Sequence, residues 1–125
     1  MKILIIGLGG FLGTTARYGL SGLVQDLAGA SFPAGTLAVN ILGCIAIGGI
    51  MSLVEDRQML TPEARLLLLV GFLGSFTTFS TFGYETFDLL REGQLWMAVV
   101  NAAANLLIGI LGVGLGWAGV RALGA

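Results

Sequence analysis

The chain has 125 residues, 56% of them hydrophobic and 10% charged, with a formal net charge of −1. Soluble domains are about a quarter charged, so this composition excludes an ordinary water-soluble fold and requires lipid or protein against its apolar surface. The near-neutral balance gives no pull toward nucleic acid or acidic substrates, and the lack of histidine removes the commonest metal ligand and the usual general base near neutral pH.

About 20 mostly apolar residues are needed for a helix to cross a bilayer, and four windows qualify in chain order. The first covers about residues 3–24 and is interrupted by Arg17. Its start, MKILIIGLGG, resembles a signal peptide, but the apolar run continues to Leu23 without a clear small-residue cleavage site, so a retained span is expected. The same segment imitates a dinucleotide-binding loop, with Asp26 near the distance of a ribose-binding acid. That imitation is discarded. The third motif position is Leu12 rather than glycine, and long apolar helices follow where a Rossmann unit needs further strands.

The second window covers about residues 35–54, free of charge between Asp26 and Glu55. Asn40 lies deep within it, one turn after Thr36. The third covers about 64–90 and follows the most polar stretch of the chain, EDRQMLTPE, in which Thr61-Pro62-Glu63 reads as a helix cap. Arg91-Glu92-Gly93-Gln94 closes it, with glycine near the C-cap. The fourth covers about 95–121 and carries Asn101 and Asn105 four apart. The predicted architecture is all-α: one integral membrane domain of four helices over residues 1–125. Glycine pairs four apart, Gly9 with Gly13 and Gly112 with Gly116, predict close helix packing. Cys44 is the only cysteine; it permits no intrachain disulfide and is expected as a small core residue.

The polar residues inside these spans carry the functional reading. GFLGSFTTFSTFGYE, residues 71–85, places Ser75, Thr77, Thr78, Ser80 and Thr81 in mid-span. Hydroxyls can bond back to the preceding turn, so a kinked helix is one reading. The other is a broken third helix, non-helical near residues 74–78, whose freed carbonyls hold a hard cation. Phe79 and Phe82 share a face at i, i+3. They are either packing, or rings whose positive edges offer a dry site to a small anion, with Ser80 and Thr81 as nearby donors. Asn40, Asn101 and Asn105 either bond between helices or line a polar track. Arg17 and Glu85 are the charges nearest the membrane interior and are functional candidates by default; Arg17 either raises the potential for anions at a pore mouth or snorkels to the interface.

GTLAVNILG (residues 35–43) and GFLGSFTTFSTF (residues 71–82) resemble the two signature segments of the Fluc, or CrcB-type, fluoride channels. Arg17-Tyr18 after a glycine-rich start is similar too, and length and span pattern match over the whole chain. The resemblance implies a multi-pass protein of the microbial inner membrane that passively exports fluoride. It implies an antiparallel dimer of inverted copies in the lipid bilayer, with two pores at the subunit interface. By motif position, Phe79 and Phe82 would be the aromatic fluoride-box residues and Asn40 the associated amide. Thr36, Ser80 and Thr81 would line the route, with Asn101, Asn105, Arg17 and Glu85 as further pathway candidates. The carbonyls of Gly74 and Thr77 from both subunits would hold a central structural sodium ion (Na+). One departure stands out. Lys2, Arg57, Arg65 and Arg121 gather on one side and Arg91 on the other, a bias that favours cytoplasmic termini. Dual topology wants no such bias, which leaves a heterodimer with a homologous subunit open beside the homodimer.

Two other functions compete. A small multidrug exporter is also short and four-spanning, but it needs a membrane-embedded carboxylate, and the first helix here offers Arg17 instead. A non-transporting assembly subunit leaves the hydroxyl and amide clustering without a purpose. With no histidine, cysteine pair or carboxylate pair, no enzymatic chemistry is expected.

Overall fold

A computed structural model describes residues 1–124, and every regular element among them is helical. The first helix is Lys2–Ala28 and the second Ala34–Arg57; the third span is Pro62–Arg91 and the fourth Leu95–Gly124. All four are long and apolar enough to cross a membrane, which makes this a multi-pass membrane protein by length and composition. Each helix runs beyond its apolar window. Hydrophobicity marks where lipid lies, whereas backbone hydrogen bonding continues through polar residues such as Gln25 and Glu55 until a turn stops it.

The stops are local and chemical. Thr61 caps the third span by accepting the Ala64 N–H at 3.2 Å, with Pro62 at the first helical position. The third span ends with Gly93 at φ 76°; Gly93 N–H donates to Leu90 O and Gln94 N–H to Leu89 O. That pair of bonds is the Schellman closure, which glycine enters without a Cβ penalty. The second helix ends less comfortably, on Gln58 at φ 50° and ψ 33°. Gln58→Gly should therefore stabilise the protein by about 0.5–1 kcal/mol, relieved left-handed strain outweighing the lost chain entropy. A thermal unfolding midpoint in detergent reads this, and an unchanged or lowered midpoint would count against it.

Helix packing is backbone against backbone. The second helix lies on the fourth, where a Cβ on Gly48 would run into the carbonyl oxygen of Val113 and one on Gly116 into that of Ile45. The first helix lies on residues Leu66–Leu73 of the third span, with Gly9 against Leu67 O and Gly13 against Phe72 O. Both expected glycine pairs thus sit at tight contacts. In lipid, association depends on such close approach, because lipid tails are as apolar as the side chains. The buried core is small: Val39, Leu73 and Phe76, ringed by Leu20, Ile47, Leu69 and Phe72. Phe72 and Phe76 stack with centroids 5.7 Å apart.

Two stretches wind as π-helix, Leu66–Leu73 and Ala104–Ile108, and such wide turns often mark functional sites. In the third span the first half continues as α-helix through Gly74–Phe76, and Phe79–Arg91 forms the second half. Between them lie Thr77 (φ −91°, ψ 158°) and Thr78 (φ −147°, ψ 117°), both extended. Non-helical backbone is therefore narrower than the expected 74–78. Gly74 and Ser75 remain helical because Thr77 N–H still reaches Leu73 O at 3.2 Å. Only from Thr78 onward does the ladder lose its donors.

Candidate functional site

Thr78 is the centre of the polar architecture. In an uninterrupted helix its N–H would close onto Gly74 O; instead it donates to Asn40 Oδ1 at 2.8 Å. Asn40 Nδ2 returns a bond to Thr78 O at 3.1 Å. One amide side chain thus satisfies both backbone groups of Thr78, as a neighbouring strand would. Thr81 N–H, which would otherwise close onto Thr77 O, donates to Thr78 Oγ1 at 3.3 Å, and the two threonine hydroxyls lie 3.0 Å apart. The carbonyls of Gly74 and Thr77 consequently lose their helical donors. Exposed backbone at this depth persists only where protein or a polar cavity satisfies it.

The amide bonds continue into the fourth span. Asn40 Nδ2 also donates to Asn105 Oδ1 at 2.9 Å, and Asn105 Nδ2 donates to Asn101 O at 2.9 Å and Asn101 Oδ1 at 3.1 Å. Asn101 is 1% exposed. Both amide hydrogens of Asn40 are therefore engaged within the protein.

Two cavities flank Thr78. The first has about 420 Å³ and is lined by Asn40, Asn105, Gly74, Thr77, Phe79 and Phe82 together with apolar side chains of the second, third and fourth spans. Cys44 also lines it rather than lying in the core. Phe79 and Phe82 approach at 5.6 Å between centroids with their planes tilted by 60°. That tilt lies between the stacked and edge-to-face arrangements, nearer the latter, which the quadrupole favours. The second cavity, about 240 Å³, is lined by Arg17, Ser21, Gln25, Thr36, Thr81 and Glu85. There Thr36 Oγ1 donates to Glu85 Oε1 at 2.8 Å, while Glu85 Oε2 is buried without a partner. Arg17 Nε donates to Ser75 O at 2.9 Å, so the guanidinium is held inside the bundle at the end of the first half of the third span.

The structure therefore divides the expected site residues. Asn40, Asn105, Phe79, Phe82, Gly74 and Thr77 meet at the first cavity; Arg17, Thr36, Thr81 and Glu85 meet at the second. Ser80 is exposed and lines neither of these cavities, and Asn101 stands behind Asn105.

The family model described as CrcB-like protein, Camphor Resistance (CrcB), matches residues 4–117. The chain belongs to the CrcB family. Its curated relatives include a protein of Nitratidesulfovibrio vulgaris, 50% identical over 119 residues, covering 95% of this chain and 94% of the relative. One from Geobacter sulfurreducens is 48% identical over 120 residues (96% and 94%), and one from Nitrosococcus oceani 47% over 116 residues (93% of each). All three carry the name fluoride-specific ion channel FluC.

Within this CrcB chain, sequence reasoning missed three contributors. Thr78 was one hydroxyl among five, and nothing in its neighbours announces that its backbone is clamped by Asn40. Thr86 accepts from Asn101 Nδ2 at 2.9 Å and donates to Phe82 O at 2.8 Å; its placement six residues before the Glu92 C-cap of an amphipathic helix gave no signal. Gln25 donates to Phe32 O at 2.8 Å and accepts Gly35 N–H at 3.1 Å, fixing the turn that delivers Thr36. A glutamine followed nine residues later by a helix start is too common a pattern to single out.

Proposed function

We propose that this chain is the subunit of a fluoride-selective channel that lets fluoride leave the cytoplasm passively. The observation that carries the reading is the first cavity, where tilted phenyl rings and neutral amides meet beside extended backbone. A small anion of high charge density needs strong donors and tolerates little space. Amide N–H groups and ring edges supply partial positive charge without a fixed cation that would trap the ion. Asn40 can exchange its bond to Thr78 O for one to a passing anion, with Asn105 and the Thr78 and Thr81 hydroxyls close by. The second cavity serves as the entry. The Arg17 charge, held inside the bundle, raises the local potential for anions. Thr36 and Glu85 line the same cavity.

The finer assembly follows from the same residues. Gly74 is exposed and Phe79 is 82% exposed, both on a mid-membrane surface of one protomer. An inverted second copy, in dual topology, gives this surface a protein partner in the inner membrane. The broken third helix then crosses its counterpart, and Ser80 gains a protein wall. The charge bias read from the sequence keeps a homologous partner subunit as the variant of this arrangement. The Gly74 and Thr77 carbonyls fit a structural sodium ion, because their helical donors are diverted to Asn40 and Thr78 and hard cations prefer oxygen ligands. Such an ion supplies fixed positive charge that ties the two copies together.

The test is efflux from liposomes. Purified protein should release fluoride down its gradient and nearly exclude chloride, and an imposed sodium gradient should not drive fluoride uphill. No fluoride release from protein shown to be folded, at high density in the membrane, would overturn the channel reading.

A further inference from the structure

The amide chain has a direction, and the direction is set at its ends. Thr78 N–H can only donate and Thr78 O can only accept, so Asn40 must present Oδ1 to the first and Nδ2 to the second. Asn40 Nδ2 then requires an oxygen from Asn105, which turns Asn105 Nδ2 toward Asn101. The Asn101 backbone carbonyl, another fixed acceptor, agrees with that sense. Asn101 must therefore show its own Oδ1 to Asn105 and point Nδ2 away, into protein, at 1% exposure. The one acceptor placed there is Thr86 Oγ1 at 2.9 Å. Thr86 is free to accept because its hydrogen is given to Phe82 O, one turn back.

We propose that Thr86 and Asn101 are positioning residues of the fluoride route, terminating the amide chain that orients Asn105 and Asn40 and holds the Thr78 backbone extended. The proposal rests on the channel reading for its consequence and on the hydrogen bonds alone for its geometry. Neither residue lines the two cavities, so both act through the others. Phe82 joins the two systems, since its carbonyl takes the last hydrogen of the chain while its ring lines the first cavity.

Removing the last acceptor leaves no good arrangement. If Asn101 stays, its Nδ2 is buried without a partner, a loss typically costing about tenfold or more in an equilibrium constant. If Asn101 flips, Nδ2 faces Nδ2 at Asn105, and the mismatch moves one step closer to Asn40. A purely apolar packing role for Thr86 predicts the opposite, since valine matches its shape.

The experiment compares Thr86→Val with Thr86→Ser, which keeps the hydroxyl. Two readouts are taken on the full-length protein in detergent and in liposomes. The first is hydrogen exchange at the Thr78 amide, which needs no ion flux. Thr86→Val should speed it about tenfold or more, and Thr86→Ser should leave it close to the parent. The second is fluoride efflux, where Thr86→Val should fall about tenfold and add little further loss on an Asn40→Ala background. Should Thr86→Val not fold, Thr86→Cys, a much weaker acceptor, takes its place. An unchanged Thr78 amide in the valine or cysteine variant overturns the relay whether or not the protein conducts. A parent that passes no fluoride overturns the channel reading instead, with the exchange readout still deciding the relay. Additive flux losses with Asn40→Ala would show that Thr86 acts by another route.

Discussion

Asn40→Asp should lower fluoride efflux by about a hundredfold or more, the combined effect of two lost donors and an added charge at a half-buried site. The asparagine makes three bonds at once: it accepts Thr78 N–H and donates to Thr78 O and Asn105 Oδ1. A carboxylate keeps the first and turns the other two into contacts between oxygens, which repel. Its negative charge also lies on a route for anions, where like charge excludes the ion. Asn40→Leu removes all three bonds without adding charge, so the difference between the two variants isolates the electrostatic part. Both should still insert, because the second helix packs on the fourth through Gly48 against Val113 O and Ile45 O against Gly116, contacts that do not involve the Asn40 side chain. Gel filtration of each variant beside an exposed-site control, Glu55→Gln, establishes that the comparison is between folded proteins. Asn40→Asp efflux within a few-fold of the parent would mean that the clamp on Thr78 is not part of the conduction path.

What could be seen in the sequence depended on how local the physics was. Four spans were legible because an apolar run of membrane length has few alternatives, and the caps at Thr61 and Gly93 because each is decided within four residues. Phe79 and Phe82 were legible as a pair because helical spacing fixes their shared face. Family membership was legible from GTLAVNILG and GFLGSFTTFSTF, segments in which the polar residues are too many for a lipid-facing helix. The partners of those residues were not legible. Asn40 reads equally as an interhelical bond or as part of a polar track until Thr78, 38 residues away, is seen to occupy it. Arg17 reads equally as a pore-mouth charge or a snorkelling one, and only its bond to Ser75 O, 58 residues away, places it inside the bundle. Cys44 was expected in the core by composition, yet it lines the first cavity, because helix rotation rather than residue type decides which face turns inward. The extended stretch shrank from five residues to two because a helix ends where its donors are diverted, and diversion is a tertiary event.

Phe79→Ile and Phe82→Ile should each reduce fluoride efflux by roughly tenfold or more, if ring edges supply a share of the ion's contacts comparable to a desolvated aromatic interaction. Isoleucine keeps part of what phenylalanine supplies and loses the rest. It retains apolar bulk at the wall of the first cavity and remains compatible with a helix. It lacks the quadrupole, so the partial positive charge at the ring edge disappears with no new polar group in its place. The two positions need not respond alike. Phe82 is half-buried, and its backbone carbonyl accepts from Thr86, so Phe82→Ile tests the ring while leaving that bond available. Phe79 is 82% exposed on the protomer, so its ring acts on the ion only if a second copy closes the cavity around it. A loss of flux at Phe79 equal to that at Phe82, with the dimer still formed on gel filtration, therefore supports both the ring-edge site and the covering partner. A loss at Phe82 alone supports a site built within one protomer and removes the need for the partner's wall. Chloride exclusion should survive in either variant, since the amide donors, which favour the ion of higher charge density, are unchanged. Parent-level fluoride efflux from both would show that these rings are packing and that conduction runs elsewhere.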